Sequence, residues 1–164
     1  MAANGVRRVA SFYYRDASAP RPNTPRPVTV VALIQDNGRV LLDRRADAPF
    51  WGLIAGRVEA DETLEQALRR EVDEETGLAV ASFSLFGTFS DPSRIIAYAD
   101  GNVMQPVTIA YDVTVESIAP LRPSAQSNGF AWLPVSDIPL ADVIATHRPI
   151  LDRLSSGAPP PFLD

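Results

Sequence analysis

Apolar positions along this chain change their spacing twice, and each change predicts a different element. Residues 28–34, VTVVALI, form a nearly unbroken apolar run of strand length, and residues 39–45, RVLLDRR, form a second. Asp36-Asn37-Gly38 between them reads as a hairpin turn. A loop and short strand follow over 46–56. The period then lengthens: Leu64, Ala67, Leu68 and Val72 line one face of a helix predicted over 63–76. Thr63 with Gln66 fits a capping box at its start, and Gly77 stands where a helix ends in a left-handed residue. Downstream, 78–90 reads as a strand, 93–102 as a strand running into a turn, and 107–117 as a long strand. Residues 125–135 read as a loop running into a short strand, and 141–154 as an amphipathic helix. This order predicts an α/β (α+β) fold, a mixed sheet sandwiched between helices. No internal repeat is present.

The flanks differ in composition. Residues 1–27 are rich in Pro, Ala and Arg and end in APRPNTPRP, so they read as an irregular N-terminal arm. Its aromatic cluster, Phe12, Tyr13 and Tyr14, would pack on the domain or on a second subunit, which raises a possible homodimer. Residues 28–156 form the domain, and 157–164, GAPPPFLD, a Pro-rich tail.

Composition narrows the function classes. A 164-residue chain with 46% apolar residues supports one domain with a real core. A net charge of −5 argues against a nucleic-acid polymer as the partner, but not against a small phosphorylated substrate whose charge a metal neutralises. The absence of cysteine excludes thiol nucleophiles and thiolate metal sites, and the single histidine, His147, cannot make an imidazole zinc site alone. No apolar run spans a membrane and no signal-peptide core follows the N-terminal basic residues, so the expected location is cytoplasmic.

Candidate chemistry lies at 71–75, where four of five residues are acidic. Glu71, Glu74 and Glu75 share one helical face, and like charges at that spacing repel unless something compensates. A hard divalent cation with oxygen ligands would do so.

Gly56, five residues, Glu62, seven residues, then Arg70-Glu71-Val72-Asp73-Glu74-Glu75-Thr76-Gly77-Leu78 resembles the Nudix box, G-x5-E-x7-R-E-U-x-E-E-x-G-U, at every fixed position. Trp51 upstream and Trp132-Leu133-Pro134 downstream are similar to the family's surroundings. The resemblance implies an α/β/α sandwich and hydrolysis of a phosphoanhydride bond in a nucleoside diphosphate linked to another group, with Mg²⁺ or Mn²⁺. A nucleoside di- or triphosphate leads as substrate; ADP-ribose or a nucleotide sugar, or a non-catalytic nucleotide sensor, are the alternatives. It implies that Glu71, Glu74 and Glu75 are metal ligands, that the backbone at Gly56 lends a carbonyl to the metal, and that Arg70 orients a catalytic glutamate. One of the glutamates, Glu71 or Glu74 among them, would accept the proton of the attacking water. Glu62 serves the helix dipole or the box, and Glu59 is a further ligand or a solvated loop residue.

Two positions depart from the family's usual companions. Ala55 stands where a glycine often precedes the box, so its backbone is less free to take positive φ. Gln126 stands near a place where relatives carry a glutamate, and a neutral amide is not a base. The base is therefore expected from α-helical Glu71, Glu74 or Glu75, or from Asp91, Asp100 or Glu116. On the substrate side, Arg94 would bind a phosphate and Tyr98 or Phe50 would stack a base, unless they belong to an ordinary hairpin. Trp51 faces substrate or core; Trp132 reads as core, and His147 as surface or structural.

Overall fold

The computed structural model describes residues 9–164. Strand β1 (Ala10–Tyr13) is followed by β2 (Val28–Asp36), β3 (Arg39–Arg45), the two-residue β4 (Trp51–Gly52) and β5 (Ile54–Arg57). Helix α1 (Leu64–Thr76) comes next, then β6 (Val80–Phe89), β7 (Ile95–Tyr98), β8 (Val103–Met104), β9 (Val107–Val115) and β10 (Ser127–Pro134). Three 3₁₀ turns lead to α2 (Arg148–Ser155), and β11 (Phe162–Leu163) closes the described chain.

The main sheet runs β10-β3-β2-β9-β6-β11, with β4 added to β3 and β5 to β2. It is mixed: β2 and β9 are parallel, β6 and β9 antiparallel. Strand periodicity divides the core into two layers. Val30, Ala32 and Ile34 pack with Ala67, Leu68 and Val72 of α1, whereas Val31 and Leu33 pack with Ile150 and Leu151 of α2. The result is the α/β/α sandwich expected. Each fully buried Leu or Val contributes roughly 1.5–3 kcal/mol, which fixes α1 against the sheet. No helix among the described residues is long and apolar enough to cross a membrane.

Local signals act where the sequence placed them. Asn37 and Gly38 both take positive φ, 49° and 72°, in the turn that pairs Asp36 with Arg39. Thr63 Oγ1 accepts from Gln66 N at 3.2 Å, and Gln66 Oε1 accepts from Thr63 N at 2.8 Å. Gly77 ends α1 at φ 74°.

Two expectations are corrected. Residues 1–8 of the expected arm lie outside the described residues, but 10–13 are not irregular: β1 pairs with β7 and, with β8, forms a second, three-stranded sheet. The helix expected over 141–154 begins only at Arg148, because Pro149 lacks an N–H and fits only a helix's first turn; 140–142 and 145–147 are 3₁₀ turns. The Pro-rich tail is docked on the sheet. Phe162 pairs with Gly87, and Arg153 holds Asp164 through two hydrogen bonds of 2.9 and 2.6 Å.

Candidate functional site

The apolar face of α1 faces the sheet, so its acidic face meets β5 and the end of β3. Glu71 lies directly over Gly56: a Cβ built there would sit 1.9 Å from Glu71 Cδ. Gly56 has an ordinary φ, so the requirement is room, not backbone freedom. Ala55 is equally unstrained. It pairs with Val31 as extended strand and packs against the α2-side core, so the concern about its backbone does not arise.

Arg70 organises this face with one guanidinium. Its Nε and Nη2 grip Glu62 at 3.0 and 2.5 Å, Nη1 donates to Glu71 at 2.7 Å and to Glu74 at 3.3 Å, and Nη2 also donates to Arg57 O at 2.9 Å. Such fork geometry fixes both partners in orientation. Glu62 also accepts Glu59 N at 2.8 Å. The Arg70 hydrogen bonds, then the Glu59 N–H, hold its carboxyl down at about 2. Glu62 is thus the clamp for Arg70. Glu59 itself is exposed.

A second carboxylate group stands beside the first. Glu75 is pushed well above the usual range by burial, then by Glu71 and Asp43, with Arg45 and the Ala55 N–H opposing. Glu71 is raised by burial, against the pull of Arg70. Asp43, at the end of β3, is raised by burial although Ser127 Oγ donates to it. Among the described residues, no three carboxylate or imidazole side chains are gathered closely enough to grip a cation as they stand, because Arg70 draws Glu71 and Glu74 to itself. The donor set nevertheless fits a hard divalent cation: it consists of carboxylate oxygens whose mutual repulsion a cation would relieve, seated over a glycine that leaves the backbone open. Glu71, Glu74 and Glu75, with the backbone at Gly56, are the residues that would hold it.

A cavity of about 100 Å³ opens next to Gly56 and Arg57, and Tyr98 lines it, as does Arg94. Arg94 is 2% exposed, not a surface phosphate ligand: its Nε donates to Thr146 O at 3.0 Å, and Nη1 to Phe89 O at 2.7 Å and Thr108 Oγ1 at 3.0 Å. Burial lowers its guanidinium to about 10. Trp51 and Phe50 do not line the cavity. Trp51 packs on the α2-side core with Arg44 5.5 Å above its ring, and its carbonyl accepts Ile144 N. Phe50 O accepts Arg45 N at 3.0 Å. Trp132 packs against the α1-side core.

Gln126 is exposed and contributes a backbone carbonyl to Ala46 N. Its neighbour Ser127 reaches the carboxylates instead. Asp91 accepts Ser93 N and Oγ, Asp100 accepts Asn102 N in the β7–β8 turn, and exposed Glu116 follows β9. Asp43, Arg45, Ser127 and Thr146 were missed; Phe12 was read only as packing and His147 only as surface or structural. The signal for the first two was visible: Asp43-Arg44-Arg45 places charges at the end of a buried strand.

Known proteins resemble this chain in sequence and in fold. A sequence model of the NUDIX domain matches residues 24–154. The chain is 43% identical over 70 residues, 41% of each chain, to an ADP-ribose pyrophosphatase of Methanocaldococcus jannaschii. It is 33% identical over 129 residues, 73% of this chain and 90% of the relative, to the nucleoside triphosphatase NudI of Escherichia coli. The crystal structure of a MutT NUDIX hydrolase from Burkholderia pseudomallei superposes with a TM-score of 0.65 at 26% identity, covering 80% of this chain and 99% of that one.

Proposed function

The chain belongs to the Nudix hydrolase family, and on that premise we propose that it hydrolyses a phosphoanhydride bond in a nucleoside di- or triphosphate, using Mg²⁺ or Mn²⁺. The observation that carries the reading is the seating of Glu71 on Gly56 within a face ordered by Arg70. Nudix hydrolases generally need a divalent metal ion, which when bound neutralises phosphate charge and lowers the pKa of a coordinated water.

The chain's own residues hold and orient. Arg70 ties Glu62, Glu71 and Glu74 into one array, so the carboxylates meet a substrate already arranged. One of Glu71, Glu74 and Glu75 accepts the proton from the attacking water. Glu74, with a side chain 60% exposed, is open to solvent.

A second reading, hydrolysis of ADP-ribose or a nucleotide sugar, is favoured by the name of the M. jannaschii relative. The nucleoside triphosphatase match spans far more of both chains, which is why the first reading leads. The test is a nucleotide panel with Mg²⁺ and Mn²⁺ in heavy-oxygen water, with products identified by mass. Metal-dependent release of a nucleoside monophosphate, abolished by chelation, is the expected result. Metal and nucleotide binding without any product would overturn it in favour of a sensor.

A further inference from the structure

The outer edge of β6 is covered at one end only. Strand β11 pairs with Gly87 and Thr88, and Ser90 N extends that contact by donating to Asp164 O. From residue 80 to residue 86 no strand lies on that side among the described residues. Arg69 Nη1 donates to Val80 O at 2.9 Å and closes the other end. The window between is open: Ala81, Ser82, Ser84 and Leu85 are exposed, Leu85 at 44%. Two register shifts against β9 fall at Ala81 and Phe86, and 82–85 between them is regular strand. Natural edge strands are guarded by charged residues, Lys above all, or by Pro. This window contains neither.

Its sequence identifies the occupant. Residues 81–85 read apolar, Ser, Phe, Ser, apolar from either end. Two such strands, paired antiparallel about a two-fold axis at Phe83, set Ser82 against the second copy's Ser84, Phe83 against Phe83 and Ala81 against Leu85. Hydroxyl meets hydroxyl and ring meets ring, both favourable cross-strand pairs. A pairing of this kind is self-complementary and closes on itself. An axis at Ser84 would instead bring Ala81 onto Gly87, which β11 occupies. Charge favours the same partner. The chain carries a net −5, so its copies repel over most of their surface. The window is uncharged, and Arg69, 5.6 Å over the Phe83 ring, is already paired with Glu65 at 3.0 Å.

We infer that the β6 edge is a self-association surface, through which two copies of this chain join their main sheets across a two-fold axis at Phe83. Strands β9 and β2 lie between β6 and β5, so the carboxylate face over Gly56 stays clear of the contact. Five paired residues span about 17 Å, short of a standard interface, and the dimer is therefore a micromolar one.

Sedimentation equilibrium of the full chain tests this. The parent should rise from 17.8 kDa toward twice that mass as its concentration passes through the micromolar range. Ser82→Lys combined with Ser84→Lys sets lysine against lysine in the paired strands, and Ser82→Glu combined with Ser84→Glu sets glutamate against glutamate. Each double variant should remain monomeric to about tenfold higher concentration or more. Mixed, the two should form a heterodimer, because lysine then faces glutamate. Both positions are exposed and outside the carboxylate array, so Tm and kcat should stay close to the parent's. A parent that stays monomeric, a lysine variant that dimerises like the parent, or folded lysine and glutamate variants that fail to pair with each other would each overturn the inference.

Discussion

A methyl group built on Gly56 would lie 1.9 Å from the carboxyl carbon of Glu71, so strand β5 and helix α1 leave no room for a side chain at this pair of residues. Gly56→Ala must therefore move the Glu71 carboxylate. A displacement of about 1 Å in a positioned group costs on the order of 100-fold in rate. Gly56→Ala is expected to lose that much kcat and to weaken Mn²⁺ binding in a direct titration. Unchanged metal affinity would count against Glu71 as a ligand.

Arg70 holds three carboxylates through a planar fork that lysine cannot reproduce. Arg70→Lys should lower kcat by roughly tenfold or more. Glu62→Gln, which removes the clamp on the same fork, should lower kcat in the same direction while Glu71, Glu74 and Glu75 remain in place. Steady-state kinetics on both variants checks this; an active Glu62→Gln would show that the clamp is dispensable.

Gln126 is exposed, whereas Ser127 donates to buried Asp43. Gln126→Ala should keep kcat within about threefold of the parent, the scale of an ordinary surface substitution. Glu74→Gln should lose far more, and equal losses would reassign the base.

His147 gives a pH signature. Burial, then Arg45 and Arg94, hold its imidazole well below the ordinary 6.5. Unfolding releases a ring that takes a proton below about pH 6.5, so the unfolded state binds more protons there. Stability should fall as pH drops below 6.5, by at most about 1.4 kcal/mol per pH unit from this group. Asp43, Glu71 and Glu75, whose carboxyls are raised, act with the opposite sign, favouring the fold as pH falls through their folded values. Urea unfolding of the parent and His147→Gln between pH 5 and pH 7.5 separates the two: the difference in slope belongs to His147.

The C-terminal strand depends on another bare position. A Cβ on Gly87 would lie 2.7 Å from the Phe162 carbonyl oxygen, so Gly87→Ala must push β11 off β6. A loss of about 1–3 kcal/mol in denaturant unfolding is expected, with faster proteolysis of 157–164. A tail as resistant as the parent's would show that β11 is held by Arg153 and Asp164 instead.

What could be read in advance was local. The capping box at Thr63 and Gln66, the turn at Asn37-Gly38 and the stripe of α1 are decided by residues a few positions apart. The box glutamates are legible for the same reason. Arg94 was noticed but misplaced, because its burial depends on Thr146, 52 positions away. The cavity's polar end could not be read at all, since Arg94, Thr146 and His147 meet only through the packing of β7 and the turn before α2. Strand β1 was hidden by its neighbours: four residues of strand pattern precede a run of prolines that dominates the composition. The last helix was overextended because its apolar spacing outweighed the start signal at Pro149, which fits only a helix's first turn.

Strand β1 also separates two kinds of change. Phe12 reaches the cavity from a segment that lies before residue 24, where the family match begins, and that segment joins the rest of the molecule by a short ladder to β7, by Ala10 N donating to Asp47 O at 3.2 Å and by Arg45 over the Phe12 ring at 5.1 Å. Helix α1 and Gly56 take no part in that attachment. The wall of the cavity can therefore be exchanged by altering the segment that precedes the box, with the carboxylate array untouched, and a chain trimmed to the family's own limits would lose that wall while keeping the box.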